Sequence, residues 1–87
     1  MSLKVGKCYY SYADNLVEIF NELILDDEEG HPIREYEGRV VKTIKGHDSL
    51  INKIQIFNAE GHWFNQDKQL LEKSIHNLKE EAPDGTK

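Results

Sequence analysis

Leu16-Val-Glu-Ile-Phe-Asn-Glu-Leu-Ile-Leu25 is the stretch whose reading decides the fold. As a helix, Leu16, Ile19, Phe20, Leu23 and Ile24 make one apolar stripe, and Asn15 with Glu18 fits a capping box. As a strand, Val17, Ile19, Leu23 and Leu25 face one way, with Glu18 and Glu22 among Leu16, Phe20 and Ile24 on the other. The periodicity favours the helix. The flanks favour the strand, because Ala13-Asp14-Asn15 supplies a turn before it and Asp26 to Pro32 supplies one after it.

On the N-terminal side, Lys4 to Tyr12 is rich in aromatic and β-branched residues and reads as a strand, with Val5, Lys7 and Tyr9 on one face and Cys8, Tyr10 and Tyr12 on the other. Ser2 and Leu3 carry no weight in this reading. On the C-terminal side, Tyr36, Val40, Val41 and Ile44 mark a strand centred on residues 38–44. The clearest element is the hairpin in residues 52–65, where two aromatic-rich runs flank Asn58-Ala59-Glu60-Gly61. A glycine at that last turn position can take the positive φ that a type I turn with a bulge requires. In residues 67–81, Leu71, Ile75 and Leu78 fall on one helical face, with Asp67 as a cap and Lys79 near the end, which predicts a C-terminal helix. Residues 1–79 then form one small domain, and residues 80–87, with Pro83 and Gly85, a flexible acidic tail.

A chain of 87 residues holds one small core. A ligand is better placed on such a surface or at a dimer seam than in a deep pocket, which lowers the expectation of an enzyme. The lone Cys8 makes no intrachain disulfide, and no apolar run has the length of a signal h-region or a membrane span. A cytoplasmic setting without membrane contact is expected.

The net charge of −5 is unevenly placed. Residues 14–37 hold Asp14, Glu18, Glu22, Asp26, Asp27, Glu28, Glu29, Glu35 and Glu37 against Arg34 alone, a local balance of −8. Residues 38–57 reverse the sign to +3 through Arg39, Lys42, Lys45 and Lys53 against Asp48. The acidic block would repel a phosphate backbone, so nucleic-acid contact is left only to the basic stretch as an alternative.

Three Gly-His dipeptides, Gly30-His31, Gly46-His47 and Gly61-His62, suggest either recurring turns or metal ligands. No Cys-x-x-Cys or His-x-x-x-His pair accompanies them, which favours turns. Asp26-Asp27-Glu28-Glu29-Gly30 lacks the ligand spacing of a calcium loop and reads as a solvated acidic turn, or as a negative surface offered to a basic partner. No catalytic signature surrounds Cys8, Ser11 or Ser49, so no catalytic residue, metal ligand or cofactor is assigned. Strand neighbours point to opposite faces, so one residue of each pair Tyr9/Tyr10 and Trp63/Phe64 is exposed unless something covers it. Exposed aromatics on a β-module suit a protein contact.

The pattern Val5-Gly6-Lys7-x-Tyr9, Gly38-x-Val40 and Phe57-x-x-x-Gly61-x-Trp63 resembles that of small phage and prophage-encoded β-domains over residues 3–64. The resemblance implies an intracellular accessory protein with a compact, strongly bent antiparallel sheet similar to an SH3-like barrel. It tips residues 16–25 toward the strand, with the helix kept as the alternative. The expected fold is mainly β, with four to five strands and a C-terminal helix. The expected function is a non-enzymatic protein-interaction or inhibitory module. Its binding residues are Asp26, Asp27, Glu28, Glu29, Glu35, Glu37, Tyr10, Tyr12 and Trp63, and its partner is a protein with basic character. The alternatives are a ligand-binding or metal-dependent enzyme at a homodimer seam, using two or more of His31, His47, His62, His76 and Cys8, and nucleic-acid contact through residues 39–53.

Overall fold

The computed structural model describes residues 2–43, 46 and 48–83. Six antiparallel strands form one sheet: β1 (Cys8–Ser11), β2 (Asn15–Asp26), β3 (Pro32–Thr43), β4 (Ile54–Asn58), β5 (Trp63–Phe64) and β6 (Leu78–Glu81). Their order is β5-β4-β3-β2-β1-β6, and a 3₁₀ turn at Asp48–Leu50 joins β3 to β4. The mainly β architecture matches expectation, while the strand count exceeds the four or five expected. Residues 16–25 are strand, the reading that the flanking turns favoured over the helical period.

The sheet curls into a half-barrel around Leu3, Tyr9, Val17, Ile19, Tyr36, Val40, Phe57 and Leu78. Each such side chain, fully buried, contributes roughly 1.5–3 kcal/mol. Leu3, given no weight in the sequence, is a core residue. Cys8 and Leu16 point the other way and form a second cluster with Ala82, against which Tyr10 and Val41 pack. The alternation of Tyr9 with Cys8 and Tyr10 across two faces is therefore as the strand reading required. Tight curling needs a close approach at Gly38. A Cβ there would lie 2.6 Å from Val17 Cγ1, 3.1 Å from Phe57 Cε2 and 3.2 Å from Ile19 Cδ1.

No C-terminal helix forms. Phe64 instead bridges Leu70, Leu71 N–H donates to Trp63 O at 3.1 Å, and the chain turns before entering β6. The helical spacing of Leu71, Ile75 and Leu78 never becomes a face, since Leu78 is buried while Ile75 is exposed. Local polar groups decide this. Asn65 Oδ1 accepts the N–H groups of Asp67 and Gln69, both at 2.9 Å, where the helix would have begun. Ser74 then accepts from His76 N–H through Oγ and from Asn77 N–H through its carbonyl, closing a turn. A lone helix with three apolar residues has too little burial to compete. In the stretch expected to be a tail, Glu80 and Glu81 pair with Tyr10 and Tyr9, and Ala82 N–H donates to Cys8 O; residues 84–87 lie outside the described residues.

One turn design recurs. In Asp27-Glu-Glu-Gly30-His31, the Asp27 and His31 backbones meet, Asp27 Oδ1 accepts from Glu29 and His31 N–H, and Gly30 takes φ 80°. Asn58-Ala-Glu-Gly61-His62 repeats every feature, with Gly61 at φ 91°. Asn65-Gln-Asp-Lys68-Gln69 repeats it again, with Lys68 at φ 60° where glycine would be unstrained. Two Gly-His dipeptides are thus turn closures; the third, at Gly46-His47, includes a residue outside those described.

The open ends of the sheet meet at a seam. Leu78 N–H donates to Gly61 O at 2.9 Å, and Leu3 N–H to Ala59 O at 3.2 Å. Asn77, buried beside them, accepts Trp63 N–H on Oδ1 at 2.7 Å and donates from Nδ2 to Leu71 O at 3.0 Å. Its own carbonyl accepts Tyr12 N–H at 3.1 Å. Asn77→Ala leaves two backbone groups without partners and is expected to cost about 2–4 kcal/mol in denaturant unfolding. Gly38→Ala is expected to cost about 1–3 kcal/mol by overpacking, in the same measurement.

Candidate functional site

Beyond Tyr36 the β2–β3 hairpin leaves the body of the domain as a two-stranded arm, contributing to a long axis of 43 Å. β4 stops opposite Glu35, and β1 with its preceding turn stops opposite Ile19, so among the described residues the outer part of β2 pairs only with β3. The arm is apolar without being buried: Ile24 is 63% exposed, Leu25 45% and Ile33 43%.

A bulge explains this surface. Ile19 opposes Gly38 and Asn21 opposes Glu37, leaving Phe20 as an extra residue in β2. Before the bulge Val17 and Ile19 face the core. After it the parity reverses, so Glu22 shares the concave face with Tyr36, while Leu23 and Leu25 turn to the convex face with Ile33 and Glu35. Without that residue Leu23 and Leu25 would continue the core stripe, as the strand reading of the sequence placed them.

The acidic block is largely spent on local partners. Glu18 Oε1 accepts from Arg39 at 3.0 Å, Glu22 lies 3.7 Å from Arg34, and Glu37 accepts Asn21 Nδ2 at 2.7 Å. Lys79 Nζ donates to Asp14 at 3.3 Å. Asp27 holds the turn, with His31 Nδ1 3.5 Å from its second oxygen. Asp26, Glu28 and Glu29 remain exposed at the arm's end, and Glu35 is half-buried on its convex face. These exposed pairs contribute little stability each, so their main effect is to concentrate the field at the tip.

The aromatic candidates lie elsewhere. Tyr12 is exposed in the β1–β2 turn, at the far end of β2, roughly 40 Å from the acidic turn by strand length. There it borders an open hollow of about 450 Å³ with Glu72, Lys73, Ser74 and Ile75. Tyr10 is half-buried in the second cluster. Trp63 is half-buried and packs on His76, with ring centroids 4.6 Å apart and planes at 56°. Acidic and aromatic candidates therefore belong to different surfaces.

Trp63 and His76 also border a groove of about 390 Å³ with Lys53, Gln55, Phe64 and Asn65. No nucleophile and base meet in it. The hydroxyls of Ser11 and Ser74 accept backbone N–H groups, and Cys8 is buried in the second cluster. His31, His62, His76 and Cys8 occupy four separate elements, and His47 lies outside the described residues. Among the described residues no three His, Cys, Asp or Glu side chains are arranged to hold a metal ion. For the basic stretch, Arg39 is engaged by Glu18, Lys42 and Lys53 are exposed, and Lys45 is not described. No helix among the described residues is long and apolar enough to cross a membrane.

Residues of the Val5-Gly6-Lys7-x-Tyr9, Gly38-x-Val40 and Phe57-x-x-x-Gly61-x-Trp63 pattern have structural duties here: Gly6 and Gly61 take positive φ, Gly38 permits strand contact, and Tyr9 and Phe57 fill the core. What the sequence reading missed is the arm's apolar surface, whose signal was the pair Leu25 and Ile33 on either side of an acidic turn. His76 was a candidate ligand in the sequence, but nothing there signalled its burial, which leaves Nδ1 with no hydrogen-bond partner.

Burial holds the His76 pKa below its ordinary value, because the imidazolium would lose water and gain no acceptor. The unfolded chain then binds the proton more readily, so stability is full above about pH 6.5 and falls as the pH drops below it. His76→Phe, which keeps a ring against Trp63, is expected to flatten stability between about pH 7 and pH 5, measured by chemical denaturation at each pH. An unchanged slope would assign the pH dependence to other groups. No family model, curated protein or solved structure matches the chain, so its functional reading rests on its own geometry.

Proposed function

We propose that the domain is a non-enzymatic protein-interaction module, an accessory or inhibitory component that engages a partner through the β2–β3 arm. The observation that carries this is the arm itself. It exposes Ile24, Leu25 and Ile33 and ends in Asp26, Glu28 and Glu29. A two-stranded ribbon is marginal in water, and a projecting one with bare aliphatics gains stability when a partner covers it. An apolar strip with a charged end fits a partner that supplies aliphatic contact and basic groups. The aliphatic part provides affinity; the acidic turn provides orientation and rate of encounter.

The test is capture from the native host with immobilised chain. Wild type is expected to retain a partner at about 0.05 M salt and to lose most of it at about 0.5 M, where exposed charges are screened. Ile24→Lys with Leu25→Lys is expected to abolish capture, and Tyr12→Ala, at the far end, to leave it unchanged. Equal capture by the arm variant and wild type would overturn the reading.

A further inference from the structure

The open edge of β2 has defined ends. Ile19 N–H donates to Lys7 O at 3.0 Å, and its carbonyl accepts Gly6 N–H at 2.8 Å, so the turn Lys4–Lys7 occupies the edge as far as Ile19. From Asn21 to Asp26 the described residues place no strand on that side. The result is a six-residue edge, Asn21-Glu-Leu-Ile-Leu-Asp26, with a lysine-bearing turn at one end and the acidic turn at the other. Unpaired backbone N–H and C=O groups along such an edge are a template for another strand.

We propose that the strand it accepts is the same edge of a second copy of this chain, paired antiparallel about a twofold axis at Leu23. The inference rests on the arm being the docking element and names its occupant. A twofold axis normal to the sheet opposes residues of like face, so the edge must tolerate its own reversed sequence. Centred on Leu23, it does. Leu23 meets Leu23 of the second copy, Asn21 meets Leu25, and Glu22 meets Ile24, with no like charges opposed. Centred one residue later, Glu22 would face Asp26, which is unfavourable.

Charge selects the same partner. The operation that pairs the edges carries the acidic turn of each copy to the Lys4–Lys7 turn of the other, where Lys4 is exposed and Val5 is half-exposed. Asp26 and Glu28, for which no ion pair is seen among the described contacts, and Glu29, whose carboxylate lies 3.6 Å from the exposed His31, there meet lysine. Burial selects it as well. The exposed aliphatics lie on both faces of the arm, Ile24 on one and Leu25 with Ile33 on the other. A partner laid on one face would cover one or two of the three. A sheet continued through the edge adds neighbours on both faces at once.

The test uses the full chain in sedimentation velocity, with thermal unfolding of each variant followed alongside. Wild type is expected to be dimeric at about 100 µM in low salt, and Leu23→Lys to be a folded monomer, because the axis would oppose two lysines. Leu23→Cys is expected to form an intermolecular disulfide on mild oxidation, since directly opposed strand residues have Cα atoms about 4.5–5.5 Å apart. Ile33→Cys, on the far strand of the arm, is expected not to. Lys4→Glu is expected to weaken the dimer up to about fivefold, and Glu28→Lys with Glu29→Lys in the same chain to restore it. A monomeric wild type, or a dimer indifferent to Leu23→Lys, would overturn the second copy as occupant. If partner capture then still depended on Ile24 and Leu25, the docking arm would stand and only its occupant would be wrong.

Discussion

The closure of this sheet centres on one buried amide side chain, set beside the backbone bonds from Leu78 to Gly61 and from Leu3 to Ala59. Asn77 receives the backbone of β5, donates to the segment that runs beside it, and through its carbonyl ties the start of the β1–β2 turn. Asn77 itself is buried and its partners are partly so, which makes its polar groups costly to leave unpaired. The curl of the sheet depends on that closure. Without it the concave face, which no helix among the described residues covers, would keep the Leu78–Gly61 and Leu3–Ala59 backbone bonds at that side but lose the side chain that joins β5 to the segment beside it.

A single curled sheet has a limited interior, and the distribution of apolar residues follows from that limit. The core takes one residue from most turns of the pleat, and the convex face takes a small second cluster around Cys8, Leu16 and Ala82. Of the aliphatic residues left in solvent, Ile24, Leu25 and Ile33 cluster on the arm, while Val5, Ile54, Leu70 and Ile75 are scattered over the body. The bulge at Phe20 is the device behind that cluster, because one inserted residue reverses the pleat and carries Leu23 and Leu25 away from the core. Retaining such a surface at the cost of a fuller core is consistent with a protein that completes itself against another.

The legible and illegible parts of the sequence divide by the range of the interactions responsible. The residue 52–65 hairpin was readable because turn chemistry and alternation are local, whereas residues 16–25 carry a helical period and only their flanking turns pointed to a strand. The Gly-His recurrence was readable as turns, although its full form, an Asx residue three before the glycine, becomes evident only with Asp27 and Asn58 in place. The expected C-terminal helix failed because Asn65, Ser74 and Asn77 bind backbone groups that a helix would need, and no periodicity measures that competition. The acidic block was visible as composition, but not its neutralisation. Arg39 and Arg34 reach Glu18 and Glu22 only across the β2–β3 register. The bulge, on which the candidate site depends, has no sequence signal at Phe20 at all.

The repeated Asx turn has a consequence for the order of events in time. Three hairpin connections built on Asp27, Asn58 and Asn65 each close within five residues and need nothing from the rest of the chain. Ribbons of this kind form in microseconds. The pairing of β1 with β6 joins Tyr9 to Glu81, nearly the full span of the described chain, and bears the loop entropy of everything between them. The turn of the arm can therefore close early, as a marginal ribbon with its aliphatic residues in solvent, while β6 is still unplaced. In a crowded cell it would be the first part of the molecule to find company.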